Sequence, residues 1–590
     1  MYLRTVRAKG AEGVELEYIR LVEAYWENGR SKQRVIANLG RKDLLAPHLE
    51  SLIELLGGGK KTKSSSLTSG ERIEATLAAC WGPMLVTRSL WREFGLESIL
   101  DGLGPKTNRA QKAGRLPLAD RVLVLVANRL CRPGSEHALA QWLESDFVCG
   151  RDGKRILARW KQQGRVRVEL HWLQEWYRTL DQLLERKERI EVELFGRLRD
   201  LFHLQAEMVF YDLTSTYFEG HGPAGLADFG YSRDSKPRNR QVQVGLVMIN
   251  GWPIAHHVFD GSLRDSETVE SVLKDLQQRF GLRRVILVSD RGMVTIQNLA
   301  LLRQRGQGYL VGLKRRRNEQ VRGYIEAAAQ GRWQECPVGI CAREKEKPPR
   351  TMVTEVAGEE PGVRVFVVQS EERLAYERAM REGAMEKTRQ ALEKLALRVA
   401  AGRLQKAQNI GAAAARILSR NHGSRYYDWR LEQGVFRYFE HPVHLPAEKA
   451  LEGKYVIQTE ESDLSAVQAV EAYKELGEVE RSFRQLKDLV EMRPIYHHRP
   501  ERVRAHIFVA ALAFLLACAL EKKLKAAGVP MSSAQALEAL RTMHVVDLRV
   551  GAEIRRGVTA GNHQARQILA ALGISDRAPL QAQPSPKMPA

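Results

Sequence analysis

The sequence predicts a multidomain α/β chain: a mixed sheet flanked by helices, a helical region before it, and a long α+β insertion before its last helices. Three observations predict this. At 590 residues the chain is far longer than one ordinary core. At Glu207 the apolar spacing switches from the helical period to the strand period, and strands then alternate with helices. Finally, an amphipathic helix opened by an S-x-x-Q capping box, Ser465 and Gln468, lies far beyond the last of those strands.

Taken in order, residues 1–56 alternate enough to form a small β-rich unit, and 57–70, GGGKKTKSSSLTSG, reads as a flexible basic linker. Residues 71–205 carry helical spacing, as in LADRVLVLVANRL and LHWLQEWYRTLDQLL. The basic runs Lys106 to Arg115 and Arg151 to Arg167 are either phosphate contacts of a DNA-binding domain or the charged faces of a solvated bundle. In 206–320, MVFYDLTST alternates, with Met208, Phe210 and Asp212 on one side. VQVGLVMI and PIAHHVF are joined by Asn250-Gly251, a hairpin signal. A helix from Ser266 to Phe280 follows, then the continuous apolar run of a buried strand ending at Asp290, then GYLVGLK. The insertion, 321–460, holds a charged helical pair and the short strands RYYDWRL, GVFRYFEH and GKYVIQT. Residues 461–525 return to helices, and 526–590 form an extension whose Pro/Ala/Gln-rich tail reads as disordered. Gly477, inside the helix that carries Glu480, suggests close packing on a strand.

Composition narrows the partners. The chain has 92 Lys+Arg against 71 Asp+Glu, a formal charge of +21, and a pI near 9.7. Such an excess favours a polyanion, nucleic acid first. The N-terminal stretch has no apolar h-region, and Ala505 to Leu520, interrupted by His506, is short for a membrane span and reads as a buried helix. Six sparse cysteines fit a reducing cytoplasm. Cys336 and Cys341 have no second pair and read as ordinary thiols, and His256 and His257, in mid-strand, as structural.

Three acids stand at distinct structural points: Asp212 on the first strand, Asp290 at the end of the buried strand, and Glu480 on the late helix. Singly, an Asp at a strand end is most often a turn or capping residue. Together, acids on the first and fourth strands of a β-β-β-α-β succession and on a C-terminal helix make a ribonuclease H-like arrangement. Their hard oxygens suit Mg²⁺, and two ions about 4 Å apart serve in-line phosphodiester chemistry. On the helix, Tyr473, Leu476, Glu480, Arg484 and Lys487 share an arc of roughly 80°, beside an apolar stripe of Val479, Phe483, Leu486 and Val490.

These motifs resemble the DDE transposases of bacterial insertion sequences, in the group with a Y-x2-R-x3-E-x6-K signature. Tyr473, Glu480 and Lys487 match at the right spacings. Leu476 stands where Arg is usual, as in a subgroup with an apolar residue there. YDLTSTYF around Asp212, GSLRDSET around Asp265, VSDRGM around Asp290 and ERSFRQLK around Glu480 carry the rest, over most of residues 1–520. The resemblance implies binding to terminal inverted repeats, then metal-dependent strand cleavage and transfer in cut-and-paste transposition. It implies that Asp212, Asp290 and Glu480 hold two Mg²⁺ ions, for which Mn²⁺ substitutes, while Tyr473, Arg481, Arg484 and Lys487 grip DNA. Trp429 or Tyr455 would receive a flipped base. The implied partners are double-stranded DNA, at element ends and target, and a second copy when two ends are paired; no membrane is involved. The competing readings are an inactive transposase-derived DNA-binding protein and a junction or repair nuclease of the same fold.

Overall fold

The computed structural model describes residues 2–9, 15–27, 30–41, 73–103, 116–158, 168–202, 208–290, 293, 295–314, 318–337, 349–550 and 553–575. The linker 57–70, the run Lys106 to Arg115, residues 159–167 of the second basic run, Cys341 and the tail from 576 lie outside them.

Strands β1 (Tyr2–Lys9), β2 (Glu15–Glu27) and β3 (Arg30–Arg41) form an antiparallel sheet of their own. Next comes β4 (Ile73–Cys80), where Ala-rich spacing predicts helix. It is a strand because its partner lies far along the chain: Cys80 pairs with His544 and Ile73 with Val550. Such a pairing leaves no local periodic signal. Helices α1 (Gly82–Glu93), α2 (Leu118–Cys131), α3 (Val168–Leu184) and α4 (Lys187–Phe202) then fill much of the stretch expected to be helical.

The central sheet is built next. β5 (Met208–Tyr217), β6 (Gln241–Ile249) and β7 (Trp252–Asp260) are antiparallel neighbours. Asn250 and Gly251 both take positive φ, 50° and 69°, as a two-residue hairpin turn requires. After α5 (Val269–Gln278), β8 (Ile286–Ser289) inserts parallel to β5 on its other side. β9 (Gly308–Gly312), preceded by α6 (Ile296–Gln304), lies parallel to β8. This is the strand succession expected of a ribonuclease H-like core.

The insertion does not leave β9 as an edge. β10 (Gln334–Cys336), β11 (Thr351–Ala357) and β12 (Arg364–Ser370) join the same sheet. Helices α7 (Glu371–Ala400) and α8 (Ala407–Ser419) and the hairpin β13 (Tyr427–Glu432) and β14 (Val435–Glu440) then pack around a separate core that includes Leu392, Leu395, Ile410, Leu418 and Phe436. β15 (Lys454–Thr459) returns between β12 and β9. The nine strands thus run β10-β11-β12-β15-β9-β8-β5-β6-β7.

Helix α9 (Ala466–Asp488) opens on the expected capping box: Ser465 Oγ accepts from Gln468 N at 3.2 Å, and Ser465 N donates to Gln468 Oε1 at 3.0 Å. Gly477 is not packed on a strand; it is exposed, and a Cβ there would meet nothing within 4 Å. Helix α10 (Pro500–Ala526) is long and apolar enough to cross a membrane, but it is buried among α1, α2, α3 and β7. Beyond α11 (Ser533–Leu540), β16 (His544–Val550) and β17 (Glu553–Val558) complete the sheet begun by β4.

Candidate active site

Strand register brings the first two acids together. In the parallel pair β5 and β8, Phe210 stands opposite Val288. Asp212 and Asp290 each lie two residues further on, so the period of two puts both on the same face of neighbouring strands. Helix α9 crosses β5, β8 and β9. Its buried residues Val479, Phe483 and Leu486 face the sheet, which leaves Glu480 and Arg484 exposed on the flank.

Asp212, Asp290, Glu480, Arg484 and Lys487 line one cavity of about 310 Å³, together with Arg233 and Asp265. Burial pushes the Asp212 carboxyl up to about 7. The Leu213 N–H, donating to its Oδ1 at 2.7 Å, and Arg233 oppose that rise, whereas the charges of Asp290 and Glu480 add to it. Arg233 is tethered to Asp265 at 2.7 Å. Burial also pushes the Lys487 ammonium below its ordinary range. Asp234 counters this by accepting from Nζ at 2.8 Å, and Arg493 pairs with the same carboxylate oxygen.

Hard oxygen donors whose charges raise the proton affinity of Asp212 fit a divalent cation, whose charge would offset theirs. Among the described residues, the ligand-type side chains that cluster within 4.8 Å of one another are Glu136, His497 and His506, elsewhere in the chain. That trio is already committed. His506 Nδ1 faces Arg129 Nη2 at 3.2 Å, and its Nε2 bonds the Met492 carbonyl at 3.1 Å. The three acids of the cavity are not grouped as tightly as that trio.

The family model for the transposase DDE domain matches residues 205–516, more than half of the chain and all three acids. The chain belongs to the DDE transposases. The model for the N-terminal domain of IS1634 family transposases matches residues 3–65 of this transposase, the segment that opens with β1 to β3. No curated protein sequence matches the chain.

Of the residues singled out from the sequence, the transposase brings Asp212, Asp290, Glu480, Arg484 and Lys487 to one cavity. Tyr473, Arg481, Trp429 and Tyr455 do not line it. Tyr473 stacks on Tyr455 at 5.8 Å, and its hydroxyl fills the space over Gly312 where a side chain would stand. Arg481 pairs with Glu478 at 3.0 Å. Trp429 stacks on Phe436 in the insertion's own core. Leu476 is buried, so the position that usually carries Arg points into the protein here. Sequence reasoning missed Arg233 and Asp234, within the basic loop SRDSKPRNR, whose only signal was its charge. It also missed Phe229 and Tyr231 just before that stretch, 56% and 80% exposed, each beneath a guanidinium: Arg240 at 5.5 Å and Arg233 at 5.9 Å.

Proposed function

We propose that this transposase binds the terminal inverted repeats of an insertion sequence, cuts a strand at each end and joins the released 3′-hydroxyl to target DNA. The observation that carries the reading is the convergence of Asp212, Asp290 and Glu480, from three distant segments, on a cavity also lined by Arg484 and Lys487. In this reading the three carboxylates hold two divalent ions, Mg²⁺ or Mn²⁺, which when bound activate the attacking oxygen and stabilise the leaving one.

The chain's own groups do the rest. Arg484, exposed and without an ion-pair partner among the described residues, draws a phosphate to the cavity mouth. Lys487 places a second positive charge deeper, where the transferring phosphoryl group gains negative charge. Phe229 and Tyr231, exposed and backed by Arg240 and Arg233, offer further faces for unstacked bases, alongside Trp429 or Tyr455 as receivers of a flipped base. Arg481 and Tyr473 would touch DNA further along α9. We further propose that two copies act as a homodimer on paired ends, in the cytoplasm, and that residues 1–56, 71–205, 206–320, 321–460, 461–525 and 526–590 are its working units.

The test incubates the purified full chain with Mg²⁺ and the DNA flanking its own gene. A 3′-hydroxyl cut at an inverted repeat, abolished in Asp212→Asn and Glu480→Gln while binding persists, is the expected result. Undiminished cutting in those variants would contradict it. Cutting of branched DNA irrespective of end sequence would make the protein a nuclease instead.

A further inference from the structure

We propose that Asp234 is a positioning residue, which fixes the Lys487 ammonium relative to the carboxylates of the cavity. The inference rests on the reading of that cavity as a phosphodiester-cutting site.

Asp234 and Lys487 lie 253 residues apart in sequence. Their side chains are only 4% and 9% exposed, and Nζ and Oδ1 are 2.8 Å apart. Arg493 shares Oδ1, while Oδ2 is buried without a hydrogen-bond partner. As a stabilising device this is poor. Burying an ion pair barely repays its desolvation, and an unsatisfied carboxylate oxygen costs more. Arg493 does not depend on it, because its Nη2 also bonds Asp488 at 2.8 Å.

Position is what the pair supplies. The loop that presents Asp234 is pinned to β5, the strand of Asp212: Arg233 N donates to Ser215 Oγ at 2.9 Å. It is braced again where Asp228 and Gln241 exchange backbone hydrogen bonds of 3.1 and 2.7 Å, and where Arg233 holds Asp265. Lys487 stands about two turns beyond Glu480 on α9. Asp234 therefore ties the ammonium on the helix to the strand that carries Asp212.

The experiment uses full-length protein, Mg²⁺ and a labelled duplex carrying the end that the wild-type protein nicks. It compares Asp234→Asn, Asp234→Glu, Lys487→Met and the double variant Asp234→Asn/Lys487→Met. The readouts are the single-turnover nicking rate, gel-shift affinity and thermal midpoint. Asp234→Glu keeps the charge pair, and with it the fold, but displaces the ammonium. A misplacement of about 1 Å costs on the order of a hundredfold in rate. The expected result is nicking about tenfold to a hundredfold slower in both single Asp234 variants, with affinity within about threefold of wild type. The double variant should be no slower than Lys487→Met alone, because Asp234 acts through the lysine. Wild-type rates in Asp234→Glu, or effects that multiply in the double variant, would overturn the proposal. Absence of nicking by the wild-type protein would instead overturn the reading beneath it.

Discussion

Leu476 shows what one residue does to a familiar pattern. Only 6% exposed, it fills the core under α9 at a position where the family usually has arginine. Seating a guanidinium in that buried space costs its desolvation and overfills the packing. Leu476→Arg should therefore destabilise the protein by roughly 3 kcal/mol or more, read as a fall in the denaturant midpoint. An unchanged midpoint would mean that the side chain can reach solvent. The acids were legible for a related reason. Asp212 and Asp290 are charged residues at the places where strand alternation and a buried apolar run make charge conspicuous. Asp234 was not legible, because a loop aspartate among arginines looks like ordinary solvated surface; only the fold shows it buried against Lys487.

At the level of elements, α9 was readable almost entirely from its capping box and apolar stripe, whereas its glycine was misread. Gly477 faces open space. Gly477→Ala should stabilise the folded chain by about 0.5–1 kcal/mol, since glycine's backbone freedom is lost on folding; a lower thermal midpoint would contradict this. Strand β7 presents a different device. Buried His256 donates from Nδ1 to Glu191 Oε1 at 3.0 Å and stacks on Phe508, while Lys187 and Arg279 already neutralise Glu191. Burial pushes His256 down to about 4, against about 6.5 in an unfolded chain. The folded state thus resists protonation. Its contribution is fully present above about pH 6.5 and is lost as pH falls toward 4. Between pH 7 and pH 5 the stability should drop by on the order of 2 kcal/mol from this residue, and His256→Gln should flatten that slope in urea titrations. An equal slope in the variant would show that His256 titrates normally. β4 was illegible for the opposite reason to α9: an Ala-rich segment takes strand form only through a partner more than 450 residues away.

Among the described residues, the insertion and the strands after α11 extend sheets begun far earlier in the chain. β15 and β12 extend the sheet beyond β9, and β16 captures β4. Sequence order and strand type predicted the core, but the wider sheet depends on pairings that no local pattern records. Within that frame, the central claim is that Asp212, Asp290 and Glu480, carried by separate elements, form one metal site. The most direct measurement is anomalous scattering from crystals of the full chain grown with Mn²⁺. The account predicts Mn²⁺ peaks in the cavity between β5, β8 and α9, lost in Asp212→Asn. No peak there, or a peak at Glu136, His497 and His506 instead, would contradict it.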